Sequence, residues 1–291
     1  MIDTIHAALI APFAEFEFMR RALVGAVALA LAGAPVGVFL MLRRMSLTGD
    51  AMSHAILPGA AVGYLLSGLS LTAMTLGGLV AGLAVAIGAG AVARASVLKE
   101  DATLAAFYLV SLALGVTIVS MRGSNVDLLH VLFGTVLALD DQALILIAGI
   151  ATLTLVTLAV ILRPLTVESV DPVFLASVSR SGAPVHLIFM GLVVLNLVGG
   201  FHALGTLLAV GLMMLPAASA RLWVEDLTWL IAVAAAIGVA AAVAGLLLSY
   251  HHGLPAGPAI ILTAGIVYIG SLVFGRRGLV AARLRRPHLE A

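Results

Sequence analysis

Two polar residues stand where an apolar helix begins. Asp50 and His54, in the stretch "GDAMSHAILPG" (49–59), lie four residues apart with apolar segments on both sides. Helical spacing of i and i+4 puts both side chains on one face. A carboxylate oxygen and an imidazole nitrogen so placed can hold a divalent ion. Pro58 follows one turn later. Its missing N–H leaves the His54 carbonyl without a helical partner and bends the helix there. "GAAVG" (59–63) then sets small residues four apart, a pattern that lets one membrane helix press against another. The same spacing also suits a structural role, with Asp50 as helix N-cap and His54 bonded to neighbouring backbone. Simple counting puts Asp50 near one edge of its span, whereas a transport site is expected nearer the middle.

The segments that must position this pair are those of a membrane protein. The chain of 291 residues is 63% hydrophobic and only 10% charged. Soluble domains run at about 45–50% apolar and about 25% charged, so lipid is the natural solvent here. Thirty glycines fit a bundle of closely packed helices. A net charge of +1, no basic stripe and 5% aromatic residues give no footing for nucleic acid. With no cysteine, thiolate metal sites and disulfides are excluded, so a metal must be held by His, Asp, Glu or backbone oxygen. Acidic Asp3, Glu15 and Glu17 precede the first arginines, which is not a signal-peptide pattern.

Apolar runs predict an all-α polytopic bundle in one domain, 1–291. The runs are 22–42, 51–71, 73–93, 103–121, 143–162, 185–201, 203–220, 229–249 and 257–274. That is nine spans, or eight if one segment is re-entrant. Basic residues orient the bundle. With the C-terminus inside, only Arg20, Arg21 and Arg122 of the fifteen Lys and Arg residues fall outside. Residues 1–21 then form an outer interfacial segment, and 275–291 a cytoplasmic tail. Residues 122–142 hold a short apolar piece read as an outer re-entrant or interfacial helix. Residues 163–184, "RPLTVESVDPVFLASVSRSGAP", form the longest cytoplasmic connection, and a connection this long is usually functional. Within it "PVFLASV" predicts a short amphipathic helix, with Val173, Phe174 and Leu175 to bury in a partner and Gly182 as its stop. The turn 94–102 is the next docking candidate.

Apart from Asp50, every acid falls in a connection or terminus. A carboxylate at mid-membrane costs about 2.5–3.5 kcal/mol on insertion scales and usually faces a partner or a cavity. His202, His251 and His252 fall at outer ends of spans and His130 in the outer piece, where they could line a path for a metal or simply sit at the interface. His6, His186 and His288 read as incidental. Pro216 in "LMMLPAASAR" (212–221) marks a kink or a break. No His-Glu-x-x-His motif, second intramembrane acid or Walker A lysine is present, so protease and ATPase activities have no support. The chain is expected not to be an enzyme and to hold no permanently bound cofactor. A proton-coupled secondary transporter using Asp50 and His54 as a relay is one reading of the pair.

Three stretches carry a family resemblance: "RRMSLTGDAMSHAILPG" (43–59), "ALGTLLAVGLMMLPAASAR" (203–221) and "GLPAGPAI" (253–260). In these the chain resembles the membrane permease subunits of bacterial zinc and manganese ABC importers. The resemblance implies a multi-pass protein of the bacterial cytoplasmic membrane. It implies a permease homodimer, two cytoplasmic ATP-binding subunits and an extracytoplasmic metal-binding protein. It also implies that Asp50 and His54 contact the metal in transit, and that the 163–184 connection docks on the ATPase. One departure bears on the ion. Many relatives have an acid in a Tyr-Asp-x-Pro pattern, where this chain has "YHHGLPAGP" (250–258). Imidazole in place of an acid favours zinc over manganese, because manganese prefers oxygen ligands. Zn2+ is therefore the expected cargo, with manganese or iron as the alternative.

Overall fold

The computed structural model describes residues 9–68, 70–98, 100–121 and 139–284. Among these residues the chain is helical, without strands. A short helix α1 (Ala11–Glu15) leads into α2 (Glu17–Leu42), so residues 17–21 are the first turns of the first long helix. The 51–71 span is two helices, α3 (Thr48–Ala55) and α4 (Leu57–Ser67), with the break at Ile56 and Pro58 in the first turn of α4. Next come α5 (Leu71–Ala95) and α6 (Glu100–Met121). The predicted outer piece lies, from 122 to 138, outside the described residues, as does His130.

α7 (Asp141–Val170) opens with the Asp140 side chain accepting from the Ala143 N–H at 2.8 Å. It runs straight through Pro164, so the first third of the predicted 163–184 connection is helix. α8 (Pro172–Val178) follows, capped by Asp171, whose Oδ1 accepts from the Phe174 N–H at 2.8 Å. The remaining elements are α9 (Gly182–Leu204), α10 (Thr206–Arg221), α11 (Leu227–His252), α12 (Ala256–Phe274) and α13 (Leu279–Leu284). Seven of these helices are long and apolar enough to cross a membrane. The 16-residue α10 is shorter, and α3 with α4 makes a broken ninth segment.

The core lies between α2, α7, α9 and α10, where Phe39, Phe189, Leu197, Leu208 and Leu212 are fully buried. Phe39 and Phe189 meet edge to face at 6.2 Å. α9 and α10 form a hairpin whose turn, Leu204–Gly205–Thr206, is itself buried. Gly205 has φ 90° and ψ 154°, a conformation essentially reserved for glycine. α4 and α5 approach so closely that a Cβ on Gly59 would overlap the Gly77 carbonyl, and one on Gly77 the Gly59 carbonyl. The small residues of "GAAVG" thus set a backbone-to-backbone contact.

Side-chain contacts sort the helix ends into two groups. Phe16 packs on Tyr250 (5.6 Å), and Arg21 pairs with Asp141 (2.9 Å). At the opposite end of α2, Arg43 meets Glu168 and His186. The grouping agrees with the sidedness drawn from the arginines, with residues 16, 21, 141 and 250 on one side and 43, 168 and 186 on the other.

Candidate functional site

α2 ends in a tight reversal that aims the next helix back into the bundle. The Arg44 N–H bonds the Met41 carbonyl (3.1 Å) and the Met45 N–H the Leu40 carbonyl (2.9 Å), the paired bonds of a Schellman turn. Arg44 occupies its left-handed position at φ 60°. Met45 is buried beneath the turn, and the Thr48 N–H bonds the Met45 carbonyl (3.1 Å) as α3 starts. Leu47 is the N-cap of α3, and no side chain caps it. Asp50 is therefore the third residue of α3 and not its N-cap.

The pair sits deeper than counting along the sequence implies. Gly49 touches the tip of Met213. His54 faces Tyr108 across 6.5 Å between ring centres. Tyr108 lies eight residues into α6, roughly 12 Å at 1.5 Å per residue. Ile56 packs on Gly78 and Leu57 on Gly115, so α3 and the break lie along the middle of α5 and α6. Residues 43–47 form a hydrogen-bonded turn that leads α3 back along α6, so that His54 stands level with Tyr108.

The two side chains share one face, with His54 Nε2 3.8 Å from Asp50 Oδ1. The Asp50 side chain is 67% exposed, and that of His54 27%. His54 Nδ1 is buried and finds no hydrogen-bond partner among the described residues. The structural alternative, a capping carboxylate and a backbone-bonded imidazole, does not match this geometry. An open carboxylate therefore stands beside an imidazole whose buried nitrogen has no partner among the described residues. Among the described residues no third His, Asp or Glu joins them.

The other expected ligands lie elsewhere. His251 and His252 are exposed in the last turn of α11, the end opposite Arg43, with His251 edge-on to Tyr250 at 5.3 Å. His202 lies in the last turn of α9, and its side chain is outside the described residues. The docking set divides. Val173 (78%) and Phe174 (56%) are exposed on α8, whereas Leu175 (7%) is buried and is not available to a partner. Gly182 does not stop α8, which ends at Ser179 through its N–H bond to Leu175 (2.8 Å). Instead Gly182 opens α9, with its Cα facing Leu175. Pro216 lies inside an unbroken, buried α10, which makes it a tolerated helix proline rather than a break.

His186 and Glu168 are not incidental. Arg43, at the end of α2, pairs with Glu168 of α7, donates from Nε to Ser169 Oγ (3.1 Å) and meets His186 Nδ1 of α9 (2.9 Å). Its guanidinium lies 4.6 Å from the Phe189 ring centre. A helical signal for these residues exists. Glu168 continues the buried stripe Ile161–Leu165 at i+7, and His186 precedes buried Phe189, Met190 and Val193 at i+3, i+4 and i+7.

Seven helices long and apolar enough to cross a membrane define a multi-pass membrane protein. The chain belongs to the ABC 3 transport family, which it matches over residues 15–275. It is 33% identical over 255 residues to the manganese import system permease protein ScaB of Streptococcus parasanguinis, covering 88% of this chain and 90% of that one. It is 32% identical over 272 residues to the manganese transport system membrane protein MntC of Listeria monocytogenes, covering 93% and 96%. The solved structure of PsaBC from Streptococcus pneumoniae in complex with Fab superposes with a TM-score of 0.84 at 31% identity, covering 98% of this chain and all of that one. ScaB and MntC are named for manganese, and the lean toward zinc drawn from His251 and His252 finds no support in those names. The two imidazoles stand on the last turn of α11, at the end opposite Arg43, whereas Asp50 and His54 stand on α3.

Proposed function

We propose that this chain is the permease subunit of an ATP-driven importer of a divalent transition metal, with manganese as the cargo. The observation that carries the reading is the Asp50–His54 pair, 3.8 Å apart on a broken helix at the depth of Tyr108. The relatives' names favour manganese, and a carboxylate suits that ion. Asp50 supplies charge and oxygen, and His54 nitrogen. Two donors do not complete a coordination shell. A homodimer supplies a second pair, and the exposure of Asp50 leaves it free to face the other copy.

Energy enters from outside this chain. Two ATP-binding subunits docking on the exposed Val173 and Phe174 of α8 would supply it, and an extracytoplasmic metal-binding protein would deliver the ion at the His251–His252 end. The test is uptake by the permease reconstituted in liposomes with its ATPase and binding protein. Radioactive manganese should accumulate when ATP is supplied, and zinc more slowly. Equal or faster zinc accumulation would reverse the choice of cargo. Accumulation driven by a proton gradient without ATP would support the secondary-transporter reading instead.

A further inference from the structure

Charged side chains largely withdrawn from water and bonded to one another mark a junction between helix ends far apart in the chain. The Arg43, Glu168 and His186 side chains are 7%, 12% and 13% exposed. Arg43 lies 126 residues from Ser169 and 143 from His186, so the cluster joins the end of α2, the end of α7 and the start of α9. Those last two ends are the ones that bracket α8. Both sides of the cluster are stiffly connected. Toward α8, Glu168 is three residues from Asp171, which caps α8, and Leu175 anchors α8 from beneath. Toward the pair, the hydrogen-bonded reversal of Arg44 and Met45 leads within five residues to Thr48, where α3 begins.

We propose that Arg43, Glu168 and His186 are positioning residues for transport, a polar clasp that makes α8 and the turn bearing Asp50 and His54 move as one body. The proposal rests on the reading of α8 as the docking helix and of α3 as the metal-bearing helix. A buried ion pair is weak evidence for stability, because apolar residues of like volume often replace it without loss of the fold. Its value here is specificity of connection: losing it should separate the two motions and leave each element folded.

The first measurement uses the assembled transporter carrying R43M/E168M. ATPase co-purification and ATP hydrolysis should persist, while manganese taken up per ATP falls at least about fivefold, within the usual range of coupling between sites. Wild-type uptake per ATP in this variant would overturn the proposal. A second measurement leaves the clasp intact and does not depend on where the ATPase docks or what the cargo is. Spin labels on exposed Ser46→Cys and Ala176→Cys, with one labelled copy per dimer, report the distance between the turn and α8. That distance should stay within about 2 Å between nucleotide-free and ATP-trapped transporter, the scale of ordinary helix shifts. A larger change shows that the two do not move together and overturns the clasp. If the distance holds while Phe174→Asp still binds the ATPase, the docking reading fails and the clasp stands.

Discussion

Ser111 Oγ on α6 donates to the main-chain carbonyl of Ala55 at 2.8 Å, joining residues 56 apart in the chain. Ala55 ends α3, one residue beyond His54, where helical carbonyls lose their partners. In a membrane such a carbonyl must find a donor within the protein, and serine hydroxyls serve in that way. The bond pins the break between α3 and α4 to the middle of α6. It therefore fixes the height at which Asp50 and His54 are presented. Ser111→Ala should cost about 1 kcal/mol of stability, as hydrogen bonds between membrane helices typically do. Thermal unfolding in detergent would show this, and an unchanged midpoint would mean that the break is held by packing alone.

The close approach of Gly59 and Gly77 leaves no room for a side chain at either position. Gly59→Val should therefore part α4 from α5 and sharply lower the yield of monodisperse protein on size exclusion. Gly265→Ala is the control, because nothing lies within 4 Å of the Cβ it adds. That change should be neutral within about 0.5 kcal/mol. Similar behaviour of the two variants would contradict the packing described for α4 and α5.

The one-face placement of Asp50 and His54 was readable from spacing alone, and so was a bend near Pro58, though not that it divides the span into two helices. Depth was not. It depends on the Schellman turn at Arg44, where a residue other than glycine takes a left-handed conformation that the sequence does not advertise. Leu175 shows a second limit. A seven-residue amphipathic helix was evident, but which of its apolar residues is covered depends on Gly182 and the start of α9. The Arg43–Glu168–His186 cluster shows a third. Each residue looks ordinary by itself, and only tertiary contact over more than a hundred residues brings them together.

The division within α8 gives a paired prediction. Phe174→Asp changes an exposed residue and should abolish ATPase co-purification while membrane expression stays normal. An aromatic buried in a partner groove contributes about 1.5–3 kcal/mol, enough to lose the complex at working concentrations. Leu175→Asp changes a buried residue and should lower expression itself. If both variants express normally and both bind the ATPase, docking occurs elsewhere, with the 94–102 turn as the next site to test.

Sidedness is accessible because the native chain has no cysteine. A single cysteine at His252 should react with a membrane-impermeant label in intact cells, and one at Arg276 only after the membrane is opened. Labelling of 276 but not 252 in intact cells would invert the orientation drawn from the arginines.

The central claim is that Asp50 and His54 carry the metal across. Its most direct measurement is ATP-driven uptake of radioactive manganese by reconstituted transporter bearing Asp50→Asn or His54→Ala. Binding of the ATPase to each variant is checked in the same preparation. The geometry predicts that each variant assembles with its ATPase and that uptake falls to background. Wild-type uptake in both variants would contradict the claim and leave the pair a structural feature of α3.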